Sequence, residues 1–190
     1  MVKLCWCLCS LICPIESDYG IGAWIGKGLS ASKLVFGLPF YGCAWTLKNP
    51  KDNAIGAPAT GPAISADGGA MSYKEIKNYV LRYGCYIMYN ATYVVNYCTV
   101  GSSWIGFDDI EVVGIRVSYA REKKLLGYFV WQVPYDNNWV LSLAGRLHSW
   151  YILFHYFNFT CQKDGPIEHI FKESDSFIMT LIMIILAKRN

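Results

Sequence analysis

The chain has 190 residues, a net charge of +3, 54% hydrophobic and 16% charged residues: enough apolar material for a globular core and too little charge for intrinsic disorder. Its basic residues form no block beyond the short Arg121 to Lys124 run and the terminal Lys188-Arg189, so the charge pattern excludes a nucleic-acid-binding stripe. Four of the eight cysteines (Cys5, Cys7, Cys9, Cys13) crowd the first thirteen residues, with no CxxC pair and no Cys/His set at zinc-finger spacing, so neither a structural metal nor a cofactor is expected.

Three zones differ in character: a head to about Ser17, a patterned middle from Asp18 to about Leu143, and a tail from Ala144 of clustered aromatics and a last apolar run. Met1 to Cys13 has one Lys and then an apolar run in the manner of a signal peptide, but no small-x-small cleavage site precedes Pro14 and Glu16. Tyr19 to Gly28 reads as a short helix stopped by Gly28, and the apolar run Leu34 to Leu38 reads as a buried strand of a parallel sheet. Lys48 to Gly69, punctuated by Gly56, Pro58, Gly61 and Pro62, reads as an irregular loop. Ser72 with Glu75 three residues on makes a capping box for a helix over Tyr73 to Tyr83, stopped by Gly84.

Tyr86 to Tyr89, Tyr93 to Tyr97 and Ser103 to Phe107 are short aromatic or β-branched runs parted by Asn, Thr and Gly, the pattern of a small antiparallel sheet. Residues 43–107 are therefore expected to form an inserted α+β lobe. Asp109 can cap a helix from Ile110 to about Lys123, with Asp108 and Glu111 at its positive end and Arg121, Lys123 and Lys124 at its negative end. Leu125 to Val133 is a second apolar, β-rich run ended by Pro134, Asp136 and Asn137; strand, lobe, helix and strand in this order is the pattern of a (β/α) barrel with an insertion. Ala144 to Phe159 is either the next helix or an unstructured apolar stretch, and Phe177 to Ala187 is far shorter than the roughly 20 residues of a spanning helix, so no membrane span is expected. Pairing of Cys85 with Cys98 is geometrically open.

Three motifs in this order resemble a known family. Lys33-Leu-Val-Phe-Gly-Leu-Pro-Phe-Tyr-Gly42 is similar to the seventh barrel strand of family 18 glycoside hydrolases of the plant class V chitinase type, Trp104-Ile-Gly-Phe-Asp-Asp109 to the end of their inserted lobe, and Gly127-Tyr-Phe-Val-Trp-Gln-Val133 to their eighth strand. The resemblance covers about two thirds of this chain and implies an α/β fold: the C-terminal portion of a (β/α)8 TIM barrel, residues 18–143, carrying a small α+β lobe. It implies that Trp131 floors the sugar subsite, that the Tyr97 hydroxyl faces the cleft, and that Glu111 lines distal subsites; Tyr41, beside a Pro and a Gly at a strand end, is a further sugar neighbour or a packing residue.

The implied partner is chitin or N-acetylglucosamine oligosaccharides, and the implied parent reaction is hydrolysis of β-1,4 glycosidic bonds. Yet the family's fourth-strand signature, Asp-Gly-x-Asp-x-Asp-x-Glu, matches no segment here, and Asp108-Asp109-Ile110-Glu111 has the wrong spacing. No catalytic residue is therefore assigned, and a chain that binds without cutting is expected, the alternative being a non-catalytic interaction module or a non-functional truncated product. Resemblance also implies secretion, with which the sequons at Asn90 and Asn158 are compatible.

Overall fold

The structure, a computed structural model, describes residues 2–3 and 14–148. In chain order its elements are strand β1 (Val2–Lys3), helix α1 (Pro14–Gly26), strands β2 (Val35–Pro39), β3 (Tyr41–Leu47), β4 (Pro58–Pro62) and β5 (Ala70–Ser72), helix α2 (Tyr73–Tyr83), strands β6 (Met88–Asn90), β7 (Val95–Val100) and β8 (Ser103–Phe107), helix α3 (Ile110–Glu122), strand β9 (Gly127–Trp131) and helix α4 (Val140–His148).

Helix α1 opens earlier than its Tyr19 reading, on Pro14, because a proline in the first helical turn has no intrahelical N–H bond to lose. Gly28, with φ 94°, turns the chain behind it as expected. From there β2 and β9 pair in parallel, Val35 against Gly127 through Pro39 against Trp131. Helix α3 lies against both strands and packs on α4, so the unit is a strand–helix–strand pair of barrel type with its crossover helix on one face.

The strands between β2 and α3, with β1 added at one edge, build a separate antiparallel sheet in the order β1, β4, β3, β8, β7, β6, with β5 also paired to β3. Here the loop reading of Lys48 to Gly69 is corrected, because β4 forms inside it. Both prolines sit at the strand's ends, where no ladder N–H is demanded of them: the Pro58 carbonyl accepts from the Lys48 N–H at 2.8 Å, and the Pro62 carbonyl accepts from Thr46 Oγ1 at 3.1 Å. The strand run Tyr93 to Tyr97 is likewise shifted, since Val94 takes a positive φ of 47° and pairing begins at Val95.

Helix α2 forms as its capping box dictates. Ser72 Oγ accepts from the Glu75 N–H at 3.3 Å while the Glu75 carboxylate accepts from the Ser72 N–H at 2.7 Å, and Gly84 closes the helix in the left-handed region. The Ser72 hydroxyl, which also donates to the Glu75 carboxylate at 2.7 Å, and then the Ser72 N–H hold the Glu75 carboxyl below its ordinary value. Asp109 caps α3, accepting from the Ile110 N–H at 2.9 Å.

The main core runs through both units: Leu34, Phe36 and Leu38 of the barrel pair meet Phe40, Ala44, Ile76, Cys98, Ile105 and Phe107 of the lobe, with Val113, Val117, Leu141 and Ala144 of α3 and α4 closing it. Helix α4 crosses the expected boundary at Ala144: it is capped by Asp136, whose carboxylate accepts from the Leu141 N–H at 3.2 Å and the Ser142 N–H at 2.9 Å, and it places Leu141 and Ala144 in that core. Strand β9 departs from the expectation of burial on both faces, for its residues are half-buried and Trp131 is exposed. Helices cover one face of the pair, and among the described residues no third strand joins β2 and β9. No helix among the described residues is long and apolar enough to cross a membrane.

Candidate functional site

At the C-terminal ends of the two parallel strands the chain gathers aromatic side chains. Trp131 is the last residue of β9, opposite Pro39, and its carbonyl accepts from the Phe40 N–H at 2.8 Å, so the backbone beneath the indole is held to the end of β2. Its side chain is 47% exposed, which separates it from a packed core tryptophan. Tyr41 begins β3 two residues beyond Pro39 and therefore lies at the same end of the pair.

Strand alternation assigns the lobe's faces. Ala44, Ile105 and Cys98 are in register across β3, β8 and β7, all three in the core on the side of Ile76 from α2. Cys43, Gly106 and Tyr97 form the next row and look the other way, as do Trp45, Trp104 and Thr99. Tyr41, two residues from Cys43 on the same strand, shares this second face with Tyr97. Gly42, between them on the core side, has to be glycine, since a Cβ there would run into the Gly106 carbonyl and the Phe107 and Ile76 side chains.

On the second face the Trp104 indole lies over Gly106, and the Tyr97 ring stacks on Trp104 with 5.5 Å between centroids and 22° between planes. Leu47, Ala57 and Ala59 pack beneath Trp104, so Tyr97 is held as part of a small aromatic cluster of its own. The Tyr41 phenol is pushed up first by burial and then by the nearby Asp108 carboxylate. Glu111, exposed in the first turn of α3, acts on a different ring, the Tyr89 phenol, whose value burial and then Glu111 raise. Tyr89 is paired with Asn96, a row that alternates with the Tyr97 row. The fold thus brings Trp131 and Tyr41 to one end and Tyr41 and Tyr97 to one face, and sets Glu111 beside Tyr89.

Behind these rings lies a polar support that the linear reading took only as helix-end charge. Asp108 and Arg116 form a buried ion pair at 3.0 Å, and burial lifts the Asp108 carboxyl to about 6 although Arg116 pulls it down. Asp109, besides capping α3, accepts from the Tyr73 hydroxyl at 2.5 Å and from Lys77 at 3.2 Å, tying α2 to α3; burial and this bond raise the Tyr73 phenol far above its usual range. Trp45 was also missed as a neighbour of the site. Its signal was the alternation Tyr41, Cys43, Trp45, hidden because the strand reading stopped at Leu38.

Of the two sequons, Asn90 ends β6 and its side-chain oxygen accepts from the Thr92 and Tyr93 N–H groups at 3.0 and 3.1 Å, while Asn158 lies outside the described residues. Cys85 and Cys98 are both free thiols.

Comparison with known proteins bears on the family and the fold. Residues 9–136 match the family model of glycosyl hydrolases family 18. The chain is 44% identical over 128 residues to the class V chitinase CHIT5 of Lotus japonicus, covering 67% of this chain and 32% of that protein. Among solved structures it superimposes on a mutant class V chitinase of Nicotiana tobaccum in complex with NAG4, with a TM-score of 0.67 and 41% identity over 70% of this chain and 39% of the other. It also superimposes on a chitinase-like agglutinin of Robinia pseudoacacia, with a TM-score of 0.61 and 41% identity over 70% and 37%. The chain spans about a third of the length of the curated relatives it matches. Its fold is the C-terminal portion of their TIM barrel with the inserted lobe, and the chain belongs to family 18 of the glycosyl hydrolases.

Proposed function

We propose that this chain is a chitinase-like protein that takes up N-acetylglucosamine oligomers of the chitin type against Trp131 and does not hydrolyse them unaided. The observation that carries the reading is the half-exposed Trp131 indole at the C-terminal end of a barrel-type strand, the end at which barrel enzymes bind their ligands. An indole face packs on the apolar C–H face of a pyranose, and the Tyr41 and Tyr97 hydroxyls offer polar partners at the same side of the lobe. The tobacco relative's complex with NAG4 supports the choice of ligand class.

Hydrolysis is a different matter. Protonating the leaving oxygen needs a carboxylic acid with a raised value, and a positioned general acid contributes about 10²- to 10⁴-fold. Among the described residues Asp108 is the one carboxyl lifted to about 6, but it is buried and committed to Arg116, so it is no donor to a sugar in the cleft. The name of the Robinia relative, a chitinase-like agglutinin, supports a binding role. Secretion with a glycan on Asn90 belongs to the same proposal, since the sequon lies in the turn that follows β6.

The test is a titration of the purified chain with chitin oligosaccharides, followed by intrinsic tryptophan fluorescence, beside a hydrolysis assay on the same material. Saturable quenching without turnover is expected, and Trp131→Ala should lower affinity roughly 5- to 30-fold, an aromatic stacking contact of ~1–2 kcal/mol. No quenching by the folded chain would favour a non-catalytic interaction module, and turnover would overturn the argument from the missing acid.

A further inference from the structure

Two cysteines meet across the junction of α2 and β7. Cys98 stands in the middle of β7, opposite Ile105 and fully buried on the α2 side of the lobe sheet. Cys85 is the first residue past the helix stop. Gly84, at φ 63°, turns the chain there, and the Cys85 N–H returns to the Val80 carbonyl at 3.2 Å. That turn lays the Cys85 side chain onto β7, where its thiol donates to the Thr99 carbonyl at 3.3 Å, one residue from Cys98. The Cys98 thiol in turn has Cys85 as its hydrogen-bond neighbour, and neither sulfur is oxidised.

A single buried cysteine would be core filling, a small hydrophobe with an inert thiol. The pair is different, because one sulfur is partly exposed, the other is buried, and backbone bonds on both sides hold them together. We propose that Cys85 and Cys98 are a disulfide-forming pair that staples the end of α2 to the centre of β7 when the chain meets a small-molecule disulfide oxidant.

Access sets the order of events. The Cys85 thiol loses its proton and attacks one sulfur of the external disulfide, releasing one thiol and leaving a mixed disulfide on Cys85. The Cys98 thiol, held by burial in its protonated form until a sulfur partner is presented, then gives up its proton and attacks the Cys85 sulfur, releasing the second thiol. Two S–H bonds are lost and one S–S bond is made, and the two electrons and two protons leave in the two reduced oxidant thiols. The product closes a short loop around β6.

The full chain, produced without glycosylation, is incubated with oxidised glutathione, alkylated and cut with trypsin. No Lys or Arg lies between Arg82 and Arg116, so one peptide, Tyr83 to Arg116, holds both sulfurs and no other cysteine. It should be lighter by two hydrogens and carry no alkyl group, and chymotrypsin should split it into pieces that separate only after reduction. The oxidised chain should melt roughly 6–12 °C above the reduced one, and Cys85→Ser should remove that difference. Two alkyl groups on this peptide, glutathione retained on Cys85, a link from either sulfur to another cysteine, or a melting difference that survives in Cys85→Ser would each overturn the proposal.

Discussion

The lobe and the barrel pair satisfy the backbones of their strands differently. In the lobe, β8 has β7 on one edge through a tight hairpin and β3 on the other, Cys43 against Gly106, so both of its edges are paired within the insertion. In the barrel pair, β2 and β9 have only each other among the described residues, and Trp24, Trp131, Trp139, Leu126, Leu143 and Leu147 of that half are exposed. The lesson is that an antiparallel insertion can pair its central strands on both edges from within its own segment, whereas parallel barrel strands depend on further strands from outside theirs.

The strongest way to break this comparison is to cut the link between the two units. Asp108 ends the lobe and Arg116 lies on the barrel helix, so Arg116→Ala strands a buried carboxylate and should destabilise the chain by ~3–5 kcal/mol, read from urea unfolding. Hydrogen exchange sharpens it: amides of β3, β7 and β8 should exchange on the order of 100-fold more slowly than those of β2 and β9, and equal protection would mean that the barrel pair closes its edges after all.

A pH series probes the same junction. Asp108, at about 6 in the folded chain against roughly 3.9 in an unfolded one, binds its proton more tightly when folded. Its stabilising contribution is therefore full below about pH 4 and is lost as pH rises through 6, on the order of 2–3 kcal/mol. Glu75, held low by Ser72, contributes in the opposite sense and loses its effect as pH falls. The difference between the wild-type and Asp108→Asn urea midpoints from pH 4 to 7 should isolate the Asp108 slope. The smallest effect lies within the lobe alone, where Ser72→Ala should cost about 1 kcal/mol through the lost cap of α2.

Much of this molecule was legible in its sequence. The Ser72 and Glu75 capping box, the Gly28 and Gly84 stops and the Asp109 cap each depend on residues within one helical turn, so local chemistry suffices to place α1, α2 and α3 to within a few residues. The three family motifs made the barrel portion and its inserted lobe visible for the same reason, as contiguous runs in a fixed order. Strand β4 was not legible, because Pro58 and Pro62 read as breakers until β3 supplies the donors that their carbonyls accept. Nor was the half-exposure of β9, since an apolar run reads alike whether one face or two are covered.

By itself, then, the sequence determined helices α2 and α3 with their caps, the two barrel strands and the family to which they belong. Tertiary structure alone decided which side chains share a face: Tyr41 with Tyr97, Glu111 with Tyr89, Asp108 against Arg116 and Cys85 against Cys98. The physical reason is strand register. Adjacent residues point to opposite faces, so the neighbours of any one ring or carboxylate follow from pairings between segments tens of residues apart, which no local run of residues encodes.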